Sequence, residues 1–103
     1  MPEFVEAALL DQIPPGTGTT VTVAGKQLAL FNVDGAVYAT DDKCLHAGGS
    51  LGWAGKLEGK VVTCRLHGWK YDVMTGNMPL APGMSLGCYP VRIVDGKIQV
   101  AVS

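Results

Sequence analysis

Two short Cys–His pairs constrain this sequence more than anything else in it. The first is Cys44-Leu45-His46, followed by Ala47-Gly48-Gly49-Ser50-Leu51. The second is Cys64-Arg65-Leu66-His67, followed by Gly68-Trp69-Lys70-Tyr71-Asp72. Seventeen residues separate His46 from Cys64, and the chain has no other histidine. Thiolates and imidazoles are the ligands that soft and borderline transition metals prefer. Cys44, His46, Cys64 and His67 therefore read as one four-ligand site, which requires a fold that brings two glycine-rich loops together. Zinc is the first metal to consider for two Cys and two His, yet zinc fingers group the cysteines apart from helical histidines. Here each loop carries one of each, and the neighbouring glycines disfavour a helix at either pair.

The rest of the chain reads as β. Phe4-Val5-Glu6-Ala7 opens as a short strand, and Leu9 to Ile13 makes a single turn before Pro14-Pro15-Gly16. Thr19 to Val23 is β-branched throughout and predicts a strand. Ala24-Gly25-Lys26 turns it, and Gln27 to Val33 returns. Asp34-Gly35 and Asp95-Gly96 are hairpin signals, each between alternating apolar residues. Val61-Val62-Thr63 leads into the second ligand loop, Tyr71-Asp72-Val73 leads out, and Thr75-Gly76-Asn77 turns the chain. On the last hairpin, Tyr89, Val91 and Ile93 alternate towards the core, as do Ile98, Val100 and Val102. Cys88 then shares the opposite face with Leu86, Pro90 and Arg92. No helical period with caps stands out. The expected fold class is all-β, a small antiparallel sandwich or barrel, in one domain over residues 1–103.

Charge and composition exclude several roles. The net charge is −1, without a run of Lys or Arg, which argues against nucleic acid as a partner. No stretch approaches the ~20 apolar residues of a membrane span, and Met1 to Glu6 lacks the basic start of a signal peptide. The expectation is a cytoplasmic protein away from membranes. Three cysteines, two of them assigned to metal, leave Cys88 as an unpaired thiol.

The motifs resemble the Rieske [2Fe–2S] family, in which two histidines replace two cysteines on one iron. The resemblance rests on Cys44-x-His46-x-Gly48-x-x-Leu51 and on Cys64-x-x-His67-Gly68-x-x-Tyr71-Asp72-x-x-Thr75-Gly76. It implies a β-sandwich base carrying a small cluster-binding subdomain, here about residues 43–84. It also implies one [2Fe–2S] cluster held by Cys44, His46, Cys64 and His67, the histidines at the tip. Gly48, Gly49 and Gly68 are expected to let the backbone approach the cluster, and Pro79 to Gly83, with Pro82, to shield it. By the same resemblance Tyr71 is a hydrogen-bond donor to the Cys44 sulfur. Trp69 either docks a partner or packs, whereas Trp53 is expected in the core. High-potential members add a disulfide between the loops, at places corresponding to Gly49 and Leu66, and a serine where this chain has Trp69.

With both histidines committed, none remains for the mononuclear iron triad of an oxygenase, and no G-x-G-x-x-G follows a strand. The resemblance thus implies a monomeric electron carrier and not an enzyme. It would take electrons from an NAD(P)H-dependent flavoprotein reductase and give them to a terminal oxygenase, either a dioxygenase or a diiron monooxygenase. A non-catalytic Rieske-like subunit of a larger reductase or oxygenase complex is the alternative.

Overall fold

Asp34-Gly35 and Asp95-Gly96 both take positive φ at each residue, 51° and 94° in the first and 51° and 75° in the second. Ala24-Gly25 does the same at 52° and 79°. This mirror-image turn matches the right-handed twist of paired strands, so each dipeptide folds its flanks into a hairpin. The computed structural model describes residues 4–43, 50–65, 68–78 and 85–101. Strand β1 (Phe4–Leu9) passes through one 3-10 turn (Leu10–Gln12) to β2 (Gly18–Val23), β3 (Lys26–Val33) and β4 (Ala36–Asp41). A single-turn helix α1 (Leu51–Ala54) precedes β5 (Lys56–Glu58), β6 (Val61–Thr63) and β7 (Lys70–Asp72). Strands β8 (Cys88–Tyr89), β9 (Val91–Val94) and β10 (Lys97–Ala101) complete the described elements.

The strands form three antiparallel sheets, ordered β1-β10-β9, β2-β3-β4-β8 and β5-β6-β7. Strand β3 is central to the whole. Its residues Leu28 to Asn32 are all buried, and successive side chains of a strand point to opposite faces. Leu28 and Leu30 join Ile13, Val23, Val37, Ala39, Ile98 and Val100 in one core. Ala29 and Phe31 join Leu51, Val62, Cys64, Tyr71, Val73, Met78 and Leu86 in a second. The unbroken apolar run Leu28-Ala29-Leu30-Phe31 is the sequence signature of a strand buried on both faces. The first core fills the base; the second, with Val62 and Tyr71 of β6 and β7, contains Cys64, one of the four expected ligands.

The all-β expectation holds, and the predicted hairpins fall where their turns lie. The sequence did not reveal α1 or β5. Two burial expectations are corrected. Ile93, assigned to the core face, is 39% exposed, while Leu86, assigned to the outer face with Cys88, is buried. Strand β8 begins only at Cys88, so alternation counted back through Gly87 assigns Leu86 to the wrong side. Val102 lies outside the described residues.

Candidate metal centre

Each ligand loop is held at its base by the chain on either side of it. Lys43 and Ser50 form an isolated antiparallel bridge that closes the first loop, residues 44–49. Just inside that closure, the Asp42 carboxylate is 1% exposed and accepts four hydrogen bonds. The donors are Thr20 Oγ1 at 2.9 Å, Gln27 Nε2 at 2.7 Å, Ser50 Oγ at 3.1 Å and the Gly52 amide at 2.9 Å. The Asp42 carbonyl also accepts from the Leu51 amide at 2.7 Å. One side chain two residues before Cys44 thus ties both ends of the first loop to β2 and β3. A buried carboxylate is tolerable only when its lone pairs are satisfied in this way.

Helix α1 continues that anchor. Ser50 caps it, accepting from the Trp53 amide at 3.3 Å. A Cβ on Gly52 would lie 2.4 Å from the Thr19 carbonyl oxygen, so the helix sits against β2 only because this residue is glycine. Leu51 faces the small core, and Trp53, two positions on, faces solvent at 82% exposure. The expectation that Trp53 belongs to the core is therefore wrong. The turn buries Leu51 and Gly52, and the next residue, Trp53, is left on its outer side.

The second loop is the turn of the β6–β7 hairpin. The Cys64 amide donates to the Trp69 carbonyl at 2.7 Å, and the Gly68 amide donates to the Cys64 carbonyl at 2.9 Å. Gly68 has φ +75°, with open space where a Cβ would sit; its role is backbone conformation, as the sequence suggested. Cys64 is 3% exposed. Tyr71, two residues past the loop, is fully buried in the same core, and Trp69 packs against it partly buried.

A third loop closes in the same manner. Asn77 pairs with Ser85 across residues 78–84, and the Leu86 amide donates to the Gly76 carbonyl at 2.8 Å. Gly76 has φ +79°, and a Cβ there would lie 2.3 Å from the Leu86 carbonyl oxygen. Leu51 flanks the first loop, Cys64 enters the second, and Met78 and Leu86 flank the third. All four side chains share one core, so the bases of the three loops converge on it. Cys44, His46, Gly48, Gly49, Leu66, His67 and Pro79 to Gly83, Pro82 among them, lie outside the described residues.

Sequence reasoning missed the polar anchors. Asp42, Thr20, Gln27 and Ser50 come from four places in the chain, and each alone reads as a surface residue. Asp41 was missed for the same reason. It accepts from Tyr89 Oη at 2.5 Å and from the Gly87 amide at 2.9 Å, fixing β8 onto β4. Burial, then the Asp41 hydrogen bond, pushes the Tyr89 phenol above its ordinary value. Burial, then the Asp41 and Asp72 carboxylates, pushes the Cys88 thiol up, which leaves it a poor nucleophile near neutral pH.

Comparison with known proteins gives a consistent picture. The Rieske [2Fe-2S] domain profile matches residues 3–90. A biphenyl dioxygenase ferredoxin subunit from a Pseudomonas species is 42% identical over 101 residues, covering 97% of this chain and 93% of that protein. The ferredoxin component of a naphthalene 1,2-dioxygenase system from Pseudomonas aeruginosa is 38% identical over 102 residues, covering 98% and 97%. Among solved structures, one of the complex of reduced oxygenase and oxidized ferredoxin in carbazole 1,9a-dioxygenase contains a chain 33% identical to this one. It superposes with a TM-score of 0.85 over 95% of this chain and 92% of that one.

Proposed function

Because the chain belongs to the Rieske [2Fe-2S] domain family, we propose that Cys44, His46, Cys64 and His67 hold its cluster and that residues 43–84 form the subdomain enclosing it. The protein is an electron-transfer component of a multicomponent aromatic-ring dioxygenase system, not the oxygenase itself, and it carries one Rieske-type [2Fe–2S] cluster. The electron passes to a terminal oxygenase. We assign its supply to an NAD(P)H-dependent flavoprotein reductase, and the carrier to the cytoplasm as a monomer. No described helix is long and apolar enough to cross a membrane.

The observation that carries the ligand assignment is the convergence of three closed loops on the core that contains Cys64. The donor set fits the group. Two thiolates and two neutral imidazoles balance two ferric ions and two sulfides, so the oxidised centre has no net charge. Bound there, the cluster supplies reversible one-electron storage, at a potential raised by having two fewer thiolates than an all-cysteine site. The chain's own residues do the rest. Cys64 enters the site from a buried position, with its amide engaged by Trp69, so its sulfur is set by the hairpin. Asp42 fixes both ends of the loop that bears Cys44 and His46. Tyr71 and Trp69 pack in the core around Cys64.

Metal analysis tests this reading. Purified protein from iron-sufficient cells is expected to hold two irons and two acid-labile sulfides per chain and to be red-brown. Alanine at any of Cys44, His46, Cys64 or His67 is expected to abolish cluster assembly. A colourless protein with stoichiometric zinc is the outcome that excludes it.

A further inference from the structure

The small sheet sorts its charges from end to end. At the end that meets the second ligand loop, Lys56, Thr63 and Lys70 stand in register across β5, β6 and β7. Residues directly opposed across an antiparallel sheet share a face, so the two lysines flank Thr63, the residue before Cys64. Arg65, just past Cys64, is exposed and lines a shallow depression with Lys56, Leu57 and Trp53. The acids lie at the other end. Glu58 and Asp72 both oppose Val61, and Asp72 is bonded to Lys60 at 3.4 Å.

The whole chain repeats this asymmetry. Residues 43–84 hold five basic and two acidic side chains, and the remainder holds three basic and seven acidic. The segment that bears the ligand loops thus carries a net +3 and the remainder a net −4, in a protein of net charge −1. Asp41 and Asp42, the acids nearest that segment in sequence, direct their carboxylates into internal hydrogen bonds. Trp53 lines the same depression as Lys56 and Arg65 and is 82% exposed, and Trp and Arg are residue types that anchor protein interfaces.

We propose that Lys56 and Arg65, which line the depression with Trp53, together with Lys70 in register with Lys56 across the sheet, form the docking face for an acidic surface on the terminal oxygenase. The inference rests on the reading of the chain as an electron carrier and adds which side of the loops the partner covers and what charge it presents. Surface charge of one sign steers association, raising on-rates by about 10- to 1,000-fold at low salt. The effect fades as the screening length falls to ~8 Å near physiological ionic strength.

Two measurements on the cluster-loaded protein test it. At pH 7 and low salt, the wild type is expected to be retained on a carboxymethyl matrix despite its negative net charge. The double variant Lys56→Glu/Arg65→Glu is expected to pass through, and Arg92→Glu/Lys97→Glu, with the same change in net charge, to be retained. Equal loss in both variants, or no retention of the wild type, overturns the proposal. In stopped flow, the second-order rate of electron delivery to the oxygenase is expected to fall with added salt and to drop about tenfold or more in Lys56→Glu/Arg65→Glu. Trp53→Ala is expected to slow delivery with an unchanged visible spectrum. If only reduction by the reductase responds, or neither step does, the oxygenase does not use this face. Failure of the carrier reading is distinguishable, since it is seen beforehand as protein without two irons and two sulfides.

Discussion

Asp42 shows how much one buried side chain organises here. Its carboxylate is the shared acceptor for Thr20, Gln27, Ser50 and Gly52. Asp42→Ala leaves the buried Gly52 amide without its acceptor and takes the shared acceptor from Thr20, Gln27 and Ser50, which costs about 1–3 kcal/mol. Asp42→Asn, keeping one acceptor oxygen, is expected to lose less; urea titration of both variants gives the comparison. Tyr71 is the second residue of consequence. Fully buried beside Cys64, it is the proposed donor to the Cys44 sulfur. A hydrogen bond to a charged group is worth about 1.5–3 kcal/mol. Only the difference between redox states moves the potential, at about 59 mV per 1.4 kcal/mol for one electron. Tyr71→Phe is therefore expected to lower the midpoint by tens of millivolts with the cluster intact, and protein-film voltammetry reads it directly; an unmoved midpoint assigns Tyr71 to packing alone. At this scale the motifs pointed to Gly68, whose positive φ agrees with a backbone role, and to Cys64, which lies in the core below the loops. The sequence did not reveal Asp42, because a buried acid and an exposed one look alike until the partners from β2 and β3 are in place. Nor did it place Trp53, because average burial says nothing about which side of a single helical turn meets the core.

Among the elements, glycine acts by two different mechanisms, and substitution separates them. Gly52→Ala drives a methyl into the Thr19 carbonyl, so α1 must lift from β2; the expected loss is about 1–3 kcal/mol, the range for overpacked sites. Gly68→Ala meets open space and only a positive φ, which costs about 1–2 kcal/mol. Thermal unfolding of the two variants measures both losses. Strand β8 supplies a pH prediction. The Tyr89 pKa is raised in the fold by burial and by its bond to Asp41. Its contribution to stability is thus complete below the unfolded tyrosine value near 10 and is lost as pH rises through the higher folded value. Tyr89→Phe is expected to be less stable at pH 8 and to lose less between pH 9 and 11, seen by chemical denaturation at each pH. The hairpins were readable because Asp-Gly demands one backbone geometry. Helix α1 was not, since four residues carry no period and its cap, Ser50, is ordinary in any loop.

For the whole molecule, the two cores on either side of β3 divide the labour: one holds the base together, and the other sets the bases of three loops. That division is hinted at by Leu28 to Phe31, an apolar run without alternation, though the run does not say what covers each face. The loop positions corresponding to the disulfide of high-potential members are Gly49 and Leu66, and Trp69 replaces a serine hydroxyl. The midpoint is accordingly expected in the low half of the Rieske span of about −150 to +300 mV, near its bottom; a value near +300 mV excludes the low-potential assignment. The ligand set is tested most directly by pulsed electron paramagnetic resonance on the reduced protein. Two strongly coupled imidazole nitrogens are expected, with the paramagnetic cluster signal absent when His46 or His67 is replaced by alanine. A reduced cluster with no strongly coupled nitrogen, or with a single one, means that the two histidines do not both bind iron.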